Sequence, residues 1–247
     1  MLNTTIPVEE KINALQSWAK ENNIPIKNLS KVISVIKTGS RGQRTSTDPM
    51  QFPDYYYPDE SAKAWHDPID YAWIKNVEAA YPKIKNEALS IFSNNLMSEH
   101  PQNNELANDG EWKTFFFYKN GKKYQKNLDK CPITASVINN IQGTSRAGRV
   151  YFSAMTAGTH VDPHCGPHNF KLRCHLGLVT TKEAVIRVSE EIKHWEDGKC
   201  IVFDDSFEHE VWNKSDITRI VLIIDVWNPC LTEEEIQALS FIGIPTA

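Results

Sequence analysis

The sequence predicts a mainly β protein with flanking helices, its core a sandwich or barrel rather than a parallel α/β sheet. Two patterns carry that expectation. From Trp112 onward, short runs rich in β-branched and aromatic residues recur with turns between them: Trp112–Tyr118, Arg149–Met155, Lys171–Thr180, Ala184–Val188, Lys199–Phe203, Glu210–Asn213 and Thr218–Val226. Closely spaced short strands are the mark of sandwiches and barrels, whereas parallel sheets interleave strands with helices. Ahead of Trp112, apolar residues instead fall at three- and four-residue steps, the period of a helix that buries one face.

The elements follow in order. Val8, Ile12, Leu15 and Trp18 share a helical face, and Pro7, Glu9 and Glu10 stand where a helix N-terminus favours them, so an amphipathic helix of about four turns opens the chain. A short apolar piece, Lys31–Ile36, precedes a polar loop from about Gly39 to Glu60 that carries Tyr55, Tyr56 and Tyr57. A loop of that length is a lid or a strap over the core, and its tyrosines are read as packing groups. From Pro68 to Leu96, the residues Trp73, Val77, Tyr81, Ile84, Ala88 and Ile91 predict helix, bent or broken at Pro82. Thr232-Glu233-Glu234-Glu235 is a capping box announcing a last helix. With no convincing linker, residues 1–247 are read as one domain: 1–110 largely helical, 111–230 the β core and 231–247 the C-terminal helix.

Composition narrows the partners. The 27 basic and 31 acidic residues leave a net charge of −4, which supplies no general attraction to nucleic acid or to an anionic membrane. The N-terminus lacks a basic start and apolar run, and no stretch approaches the roughly 18 apolar residues of a span, so a cytoplasmic location is expected. Five scattered cysteines without a C-x-x-C pair are read as reduced thiols.

Six of the eight histidines lie between His160 and His209. In the run Lys171–Leu178, period-two alternation puts Arg173, His175 and Gly177 on one face and Leu172, Cys174, Leu176 and Leu178 on the other; the polar face must line solvent or a polar cavity. The run Thr218–Val226 is apolar on both faces except at Arg219 and Asp225, as in a strand covered on both sides. A guanidinium there needs a carboxylate, from the protein or from a bound cosubstrate. His209 begins the strand before Arg219, and adjacent antiparallel strands would set the two on one cavity wall. Two histidines and a carboxylate with open positions form the ligand set of non-haem Fe(II) oxygenases. Two completions are available. His160-Val161-Asp162 with His209 is the one spacing favours; in His164-Cys165-Gly166 with His209, glycine takes the carboxylate position and two protein ligands remain.

Tyr151-Phe152-Ser153-Ala154-Met155, the stretch from Gly158 to Asn169, Leu172-Arg173-Cys174-His175-Leu176-Gly177-Leu178, Trp195-Glu196-Asp197-Gly198-Lys199, Phe203 through Trp212, and Asp225-Val226-Trp227 together resemble the aspartyl/asparaginyl β-hydroxylase family. The resemblance is dense from Arg149 to Leu231, thinner over Trp65–Ile91 and Cys131–Thr134, and absent from the first sixty residues. It implies a double-stranded β-helix core of the jelly-roll or cupin kind. It also reverses the ligand choice: the iron-binding histidines become His164, followed by x-Gly-Pro, and His209, in Phe-x-His-Glu. Asp205 would hold a water on the metal, and Ser153, Arg173, His175 and Arg219 would contact 2-oxoglutarate. In that scheme Arg219 and Ser153 grip the distal carboxylate, while Arg173 and His175 lie nearer the chelating end or the substrate. His160 and His168 are left as structural or supporting groups, and Asp204, Glu208 and Glu210 as turn or outer groups. Lys171 and Asp162 depart from the family pattern, where an arginine and an aromatic residue are usual.

The implied activity requires Fe(II), 2-oxoglutarate and O2. It hydroxylates an unactivated carbon, the β-carbon of an Asp, an Asn or a related amino acid that is free, carrier-bound or in a peptide, with succinate and CO2 as coproducts. Halogenation, with chloride beside Gly166, and a non-catalytic barrel that binds a carboxylate through Arg219 are the alternatives. Lipid hydroxylation at a membrane face is disfavoured by the lack of an anchor.

Overall fold

The computed structural model describes residues 6–39, 46, 48–59 and 62–243. The expectations for the first five residues, for parts of the polar loop (40–45, 47, 60 and 61) and for 244–247 fall outside them.

Nine helices are described: α1 (Val8–Glu21), α2 (Ser30–Thr38), α3 (Ile74–Ala79), α4 (Tyr81–Ser93), α5 (Asn103–Leu106), α6 (Gln125–Lys130), α7 (Pro132–Asn139), α8 (Thr144–Ala147) and α9 (Glu233–Ile242). The strands are β1 (Trp65–His66), β2 (Ser98–Glu99), β3 (Ala107–Asn108), β4 (Trp112–Lys119), β5 (Lys122–Lys123), β6 (Arg149–Met155), β7 (His160–His164), β8 (Lys171–Val179), β9 (Ala184–Val188), β10 (Glu191–His194), β11 (Cys200–Phe203), β12 (His209–Asn213) and β13 (Arg219–Trp227). One antiparallel sheet runs β1-β11-β8-β13-β6-β4-β2 with β5 on β4; the other runs β10-β9-β12-β7-β3. From β6 onward the chain passes back and forth between the sheets, β6, β8, β11 and β13 in the larger and β7, β9, β10 and β12 in the smaller. That is a double-stranded β-helix.

Alternation along the large sheet sorts its side chains into two environments. Val150, Phe152 and Ala154 of β6, Leu172, Cys174, Leu176 and Leu178 of β8, and Ile220, Leu222, Ile224 and Val226 of β13 join one apolar layer with Ile74 and Val77 of α3 and Ile84, Ala88 and Ile91 of α4. The intervening residues turn inward, where Tyr151, Met155, Val221 and Ile223 pack with Val161, Ile186, Val188 and Trp195 of the small-sheet side. A third cluster joins α1, α2 and α9 through Leu15, Val32, Val35 and Leu239.

Local chemistry accounts for the helix boundaries. The chain breaks at Ala80, and Pro82 lies in the first turn of α4, where a missing N–H costs nothing. The capping box forms as read: Thr232 Oγ1 accepts the Glu235 N–H at 3.2 Å, and Glu235 Oε2 accepts the Thr232 N–H at 2.9 Å. The structure assigns three stretches that periodicity left open or grouped with the β core. Lys31–Ile36 lies within helix α2, with Val32, Val35 and Ile36 buried. The segment 125–147, counted in the β core, carries α6, α7 and α8, helices of four to eight residues and so too short to display a period. His160–His164, absent from the expected strands, is β7.

The described part of the polar loop is a strap. Phe52 N donates to Ser206 O (3.1 Å), Glu208 N to Met50 O (2.7 Å), Tyr55 N to Pro167 O (2.8 Å) and Tyr57 N to Asn169 Oδ1 (2.7 Å). It thus ties the turn before β12 to the turn after β7. Tyr57 is buried and donates its hydroxyl to Glu235 (2.8 Å), a packing role as expected.

Candidate active site

His164 ends β7 and His209 begins β12; they face each other as register partners, ring centroids 4.2 Å apart. The register shifts between His209 and Val211, so that three steps along β7, from Val161 to His164, match two along β12. A bulge of this kind reverses side-chain parity. His160 and Asp162 therefore stay on the outer face, where His160 stacks on Trp212 (5.2 Å) and meets Glu210 (3.2 Å), and Asp162 accepts from Asn108 (2.7 Å). The H-x-D completion favoured by spacing is overturned. Among the described residues, no cluster of three or more His, Cys, Asp or Glu side chains could hold a metal.

Each imidazole is set by a carbonyl. His164 Nδ1 lies 2.7 Å from Asp162 O and His209 Nδ1 2.9 Å from Phe207 O. A carbonyl only accepts, so the proton is on Nδ1 in both and each Nε2 keeps its lone pair for a metal. Burial, the largest cause, lowers both pKa values below the ordinary histidine range and keeps the rings neutral.

Gly166 has no carboxylate to offer, and Asp205 fills the space. A Cβ built on Gly166 would lie 2.7 Å from Asp205 Cγ and Oδ1. Gly166 N donates to Asp205 O at 2.5 Å, clamping the two turns together. Arg173 Nη1 holds Asp205 Oδ2 at 2.8 Å, while its Nε and Nη2 take both oxygens of Asp225 at 2.8 and 3.2 Å. Burial raises the Asp205 pKa despite Arg173; at Asp225 burial acts in the same direction, but the guanidinium outweighs it and holds the carboxyl below its ordinary value. Arg173 is thus engaged by two protein carboxylates.

Deeper in the barrel the polar groups lack partners. Arg219 is 2% exposed, its Nε and Nη1 have no hydrogen bond, and its guanidinium lies 4.8 Å from the Trp195 ring. Burial without a carboxylate pushes its pKa down to about 9. Both ring nitrogens of His175 and Nε1 of Trp195 are likewise buried without a partner. Ser153 is buried, its Oγ accepting from Trp112 Nε1 at 3.0 Å. Buried donors are nearly always satisfied, so this chamber matches a polar, anionic guest. His209 and Arg219 do not share a wall: β12 and β13 belong to different sheets, so the two residues belong to facing walls of the barrel.

The cleft that opens over the imidazoles is lined by Gln102, Arg149, His164, Cys165, Gly166, Pro167, His168, Lys171, Arg173, Asp205, His209 and Asp225. Asp225, Trp195 and Arg149 were missed as site residues, although Asp225 was the second polar interruption in its strand and Trp195 lay within a family motif. Lys171 is 4% exposed, and burial lowers its ammonium pKa to about 7. Glu208 and Glu210 pair with Arg187 on the outer face of β12, and Asp204 accepts from Ser206 N (2.9 Å) in the turn.

Burial also lowers the pKa values of His100, His168 and His175 far below the ordinary 6.5. A depressed histidine means that the unfolded chain takes up the proton first, so stability is undiminished above pH 6.5 and falls as the pH drops below it. Each group withdraws about 1.4 kcal/mol per pH unit over that window. Thermal melts from pH 7.5 to 5 should show a flat upper region and a steep decline below 6.5; a flat profile throughout would contradict the burial of these rings.

Residues 78–229 match the family model described as aspartyl/asparaginyl beta-hydroxylase. The chain is 36% identical over 187 residues to the human aspartyl/asparaginyl beta-hydroxylase, an alignment covering 73% of this chain and 25% of that protein. It is 35% identical over 174 residues to the ornithine lipid ester-linked acyl 2-hydroxylase of Rhizobium tropici, covering 66% of this chain and 60% of the relative. The chain thus spans a quarter of the human relative's length. A solved prolyl hydroxylase from Trichoplax adhaerens, in complex with a peptide fragment, is 12% identical with a TM-score of 0.40, over 64% of this chain and 80% of that one. No described helix is long and apolar enough to cross a membrane. With the family model matching more than half of its residues and the motif histidines brought face to face, the chain belongs to the aspartyl/asparaginyl β-hydroxylase family.

Proposed function

We propose that this protein is an Fe(II)- and 2-oxoglutarate-dependent hydroxylase acting at the β-carbon of an aspartyl, asparaginyl or related polar amino-acid residue. The observation that carries the reading is the pairing of two bare Nε2 atoms with a buried arginine that lacks a carboxylate. His164 and His209 would hold the metal, and Arg219 with Ser153 would bind the distal carboxylate of 2-oxoglutarate. Bound together, iron and 2-oxoglutarate supply the oxidising power, with O2 as oxidant and succinate and CO2 as coproducts. The chain's own groups do the rest. The Asp162 and Phe207 carbonyls fix the imidazole tautomers, Asp205 offers a carboxylate to orient water beside them, and Trp195 and Phe203 flank His175 (5.9 and 5.0 Å) and keep the chamber dry.

The cleft favours a polar substrate. Of its lining residues only Pro167 and Cys165 are apolar, and the charged and polar side chains around them are suited to a polar group entering the site. Halogenation is disfavoured by the Asp205 carboxylate, which occupies the space beside Gly166 and would repel chloride. Succinate formation should require both Fe(II) and 2-oxoglutarate and fall at least about a thousandfold in His209→Ala, which loses half of the protein's ligand set. Succinate assays on the folded wild type and variant decide it; no turnover with any aspartyl or asparaginyl peptide would favour the non-catalytic carboxylate-binding barrel instead.

A further inference from the structure

Three cations stand side by side at the open end of the large sheet. Lys122 of β5 is the register partner of Lys119 on β4, and Lys119 is the register partner of Arg149 on β6. Like charges directly opposite one another across strands are destabilising. Among the described residues none of the three side chains forms an ion pair; Asp205 attracts Arg149 across the cleft without closing one. The two ammonium groups lie over aromatic rings, Lys119 Nζ over Phe116 (5.2 Å) and Lys122 Nζ over Tyr124 (5.1 Å), which steadies them without neutralising them.

The row is aimed at the catalytic cleft by a distortion of the sheet. The β4–β6 register shifts between Phe116 and Tyr118. Before the shift Phe116 pairs with inward-facing Tyr151; after it Lys119 pairs with Arg149, which lines the cleft. Without the bulge, alternation from Phe116 would turn Lys119 outward. Arg149 continues the row to the catalytic residues, its backbone N–H donating to Asp225 Oδ2 at 3.0 Å, and Asp225 holds Arg173. Five strands are crossed from β8 to β5, four spacings of about 4.8 Å, or about 19 Å in all. An extended peptide covers that distance in about six residues, far beyond the reach of a free amino acid.

We propose that the Lys122–Lys119–Arg149 row is a docking track for an acidic polypeptide segment, which lies along it while a residue of the same chain enters the cleft. This rests on reading that cleft as the hydroxylation site. The row occupies the inward face of the sheet and runs into a concave cleft, which suits a threaded chain and not a planar lipid surface.

The test is fluorescence anisotropy with a labelled ten-residue peptide carrying one central Asp flanked by Glu, against the same peptide with Gln for Glu. The full chain should bind the Glu peptide about tenfold more tightly, with the preference fading between 0.05 and 0.5 M salt. The Lys119→Gln/Lys122→Gln double variant should lose the preference and melt no lower than wild type, because a repulsion has been removed. Equal affinity for the two peptides, or a preference that survives in the double variant, overturns the proposal. So does displacement of the peptide by free aspartate or inorganic phosphate at matching concentration, or binding to phosphatidylglycerol vesicles through the same lysines without competition from the peptide. A Glu peptide that binds through the lysines but is not hydroxylated with Fe(II) and 2-oxoglutarate supports the track and removes the catalytic reading of the cleft.

Discussion

Arg219→Met should melt about 5 °C higher than the wild-type protein when no 2-oxoglutarate is added, and should bind 2-oxoglutarate about 30- to 5000-fold more weakly. Both effects come from one geometry. The guanidinium is 2% exposed, leaves Nε and Nη1 without a hydrogen bond, and has only the face of Trp195 at 4.8 Å to offset its charge. A buried charge without a partner costs several kcal/mol, of which a cation–π contact returns about 1–2. The pKa near 9 carries the same sign: a depressed arginine is penalised in full below about pH 9 and relieved only as the pH rises above it. Methionine fills much of the volume without the charge, so about 2 kcal/mol returns to the folded state. In the proposed reaction a dicarboxylate would supply the missing partner in the wild type, and truncating one side of such a pair forfeits about 2–5 kcal/mol of binding. Paired thermal melts and calorimetric titrations check both halves. A variant that melts lower and still binds 2-oxoglutarate would show that Arg219 has some other partner.

Gly166→Ala should cost iron affinity 10- to 100-fold although it touches neither histidine. The new Cβ would sit 2.7–2.8 Å from the Asp205 carboxylate, closer than real carbon atoms approach, and Asp205 is held from behind by Arg173 at 2.8 Å. Something must shift, and the turns carrying His164 and His209 are the parts joined at that point. Gly166→Asp should fail in the same way and not create a three-ligand centre, because its Cβ meets the same obstacle. Removing the obstacle supplies the control: once Asp205→Ala has emptied the space, adding Gly166→Ala should cost little more, a coupling of about 1–3 kcal/mol between the two sites. Metal titrations on the four proteins of this cycle read it directly, and additive losses would mean that Asp205 does not fill the space beside Gly166.

Much of the framework could be read along the chain because it is governed by local periodicity. Each of the seven strands expected from Trp112 onward forms within a residue or so at its ends, and Arg173 and His175 share the inward polar face that alternation assigned them. The capping box at Thr232 and the break before Pro82 depend on neighbouring residues only, and both appear as read. The family motif pointed to His164 and His209, which the fold brings face to face, where spacing pointed to His160 and Asp162.

Contacts between distant residues were decided in the folded molecule. A bulge in β7 reverses parity and carries His164 inside while leaving His160 and Asp162 outside; a second bulge in β4 turns Lys119 toward the cleft. Neither leaves a signal in the order of residues, since each exists only relative to a partner strand. The same holds for the allocation of charge. Arg173 and Arg219 look alike along the chain, yet the strand partner of Arg173 is Asp225, which with Asp205 satisfies its guanidinium, while Arg219 is buried with none. Periodicity tells each side chain which way to face; only the pairing of strands far apart in sequence determines what it meets there, and hence which charge is left for a ligand.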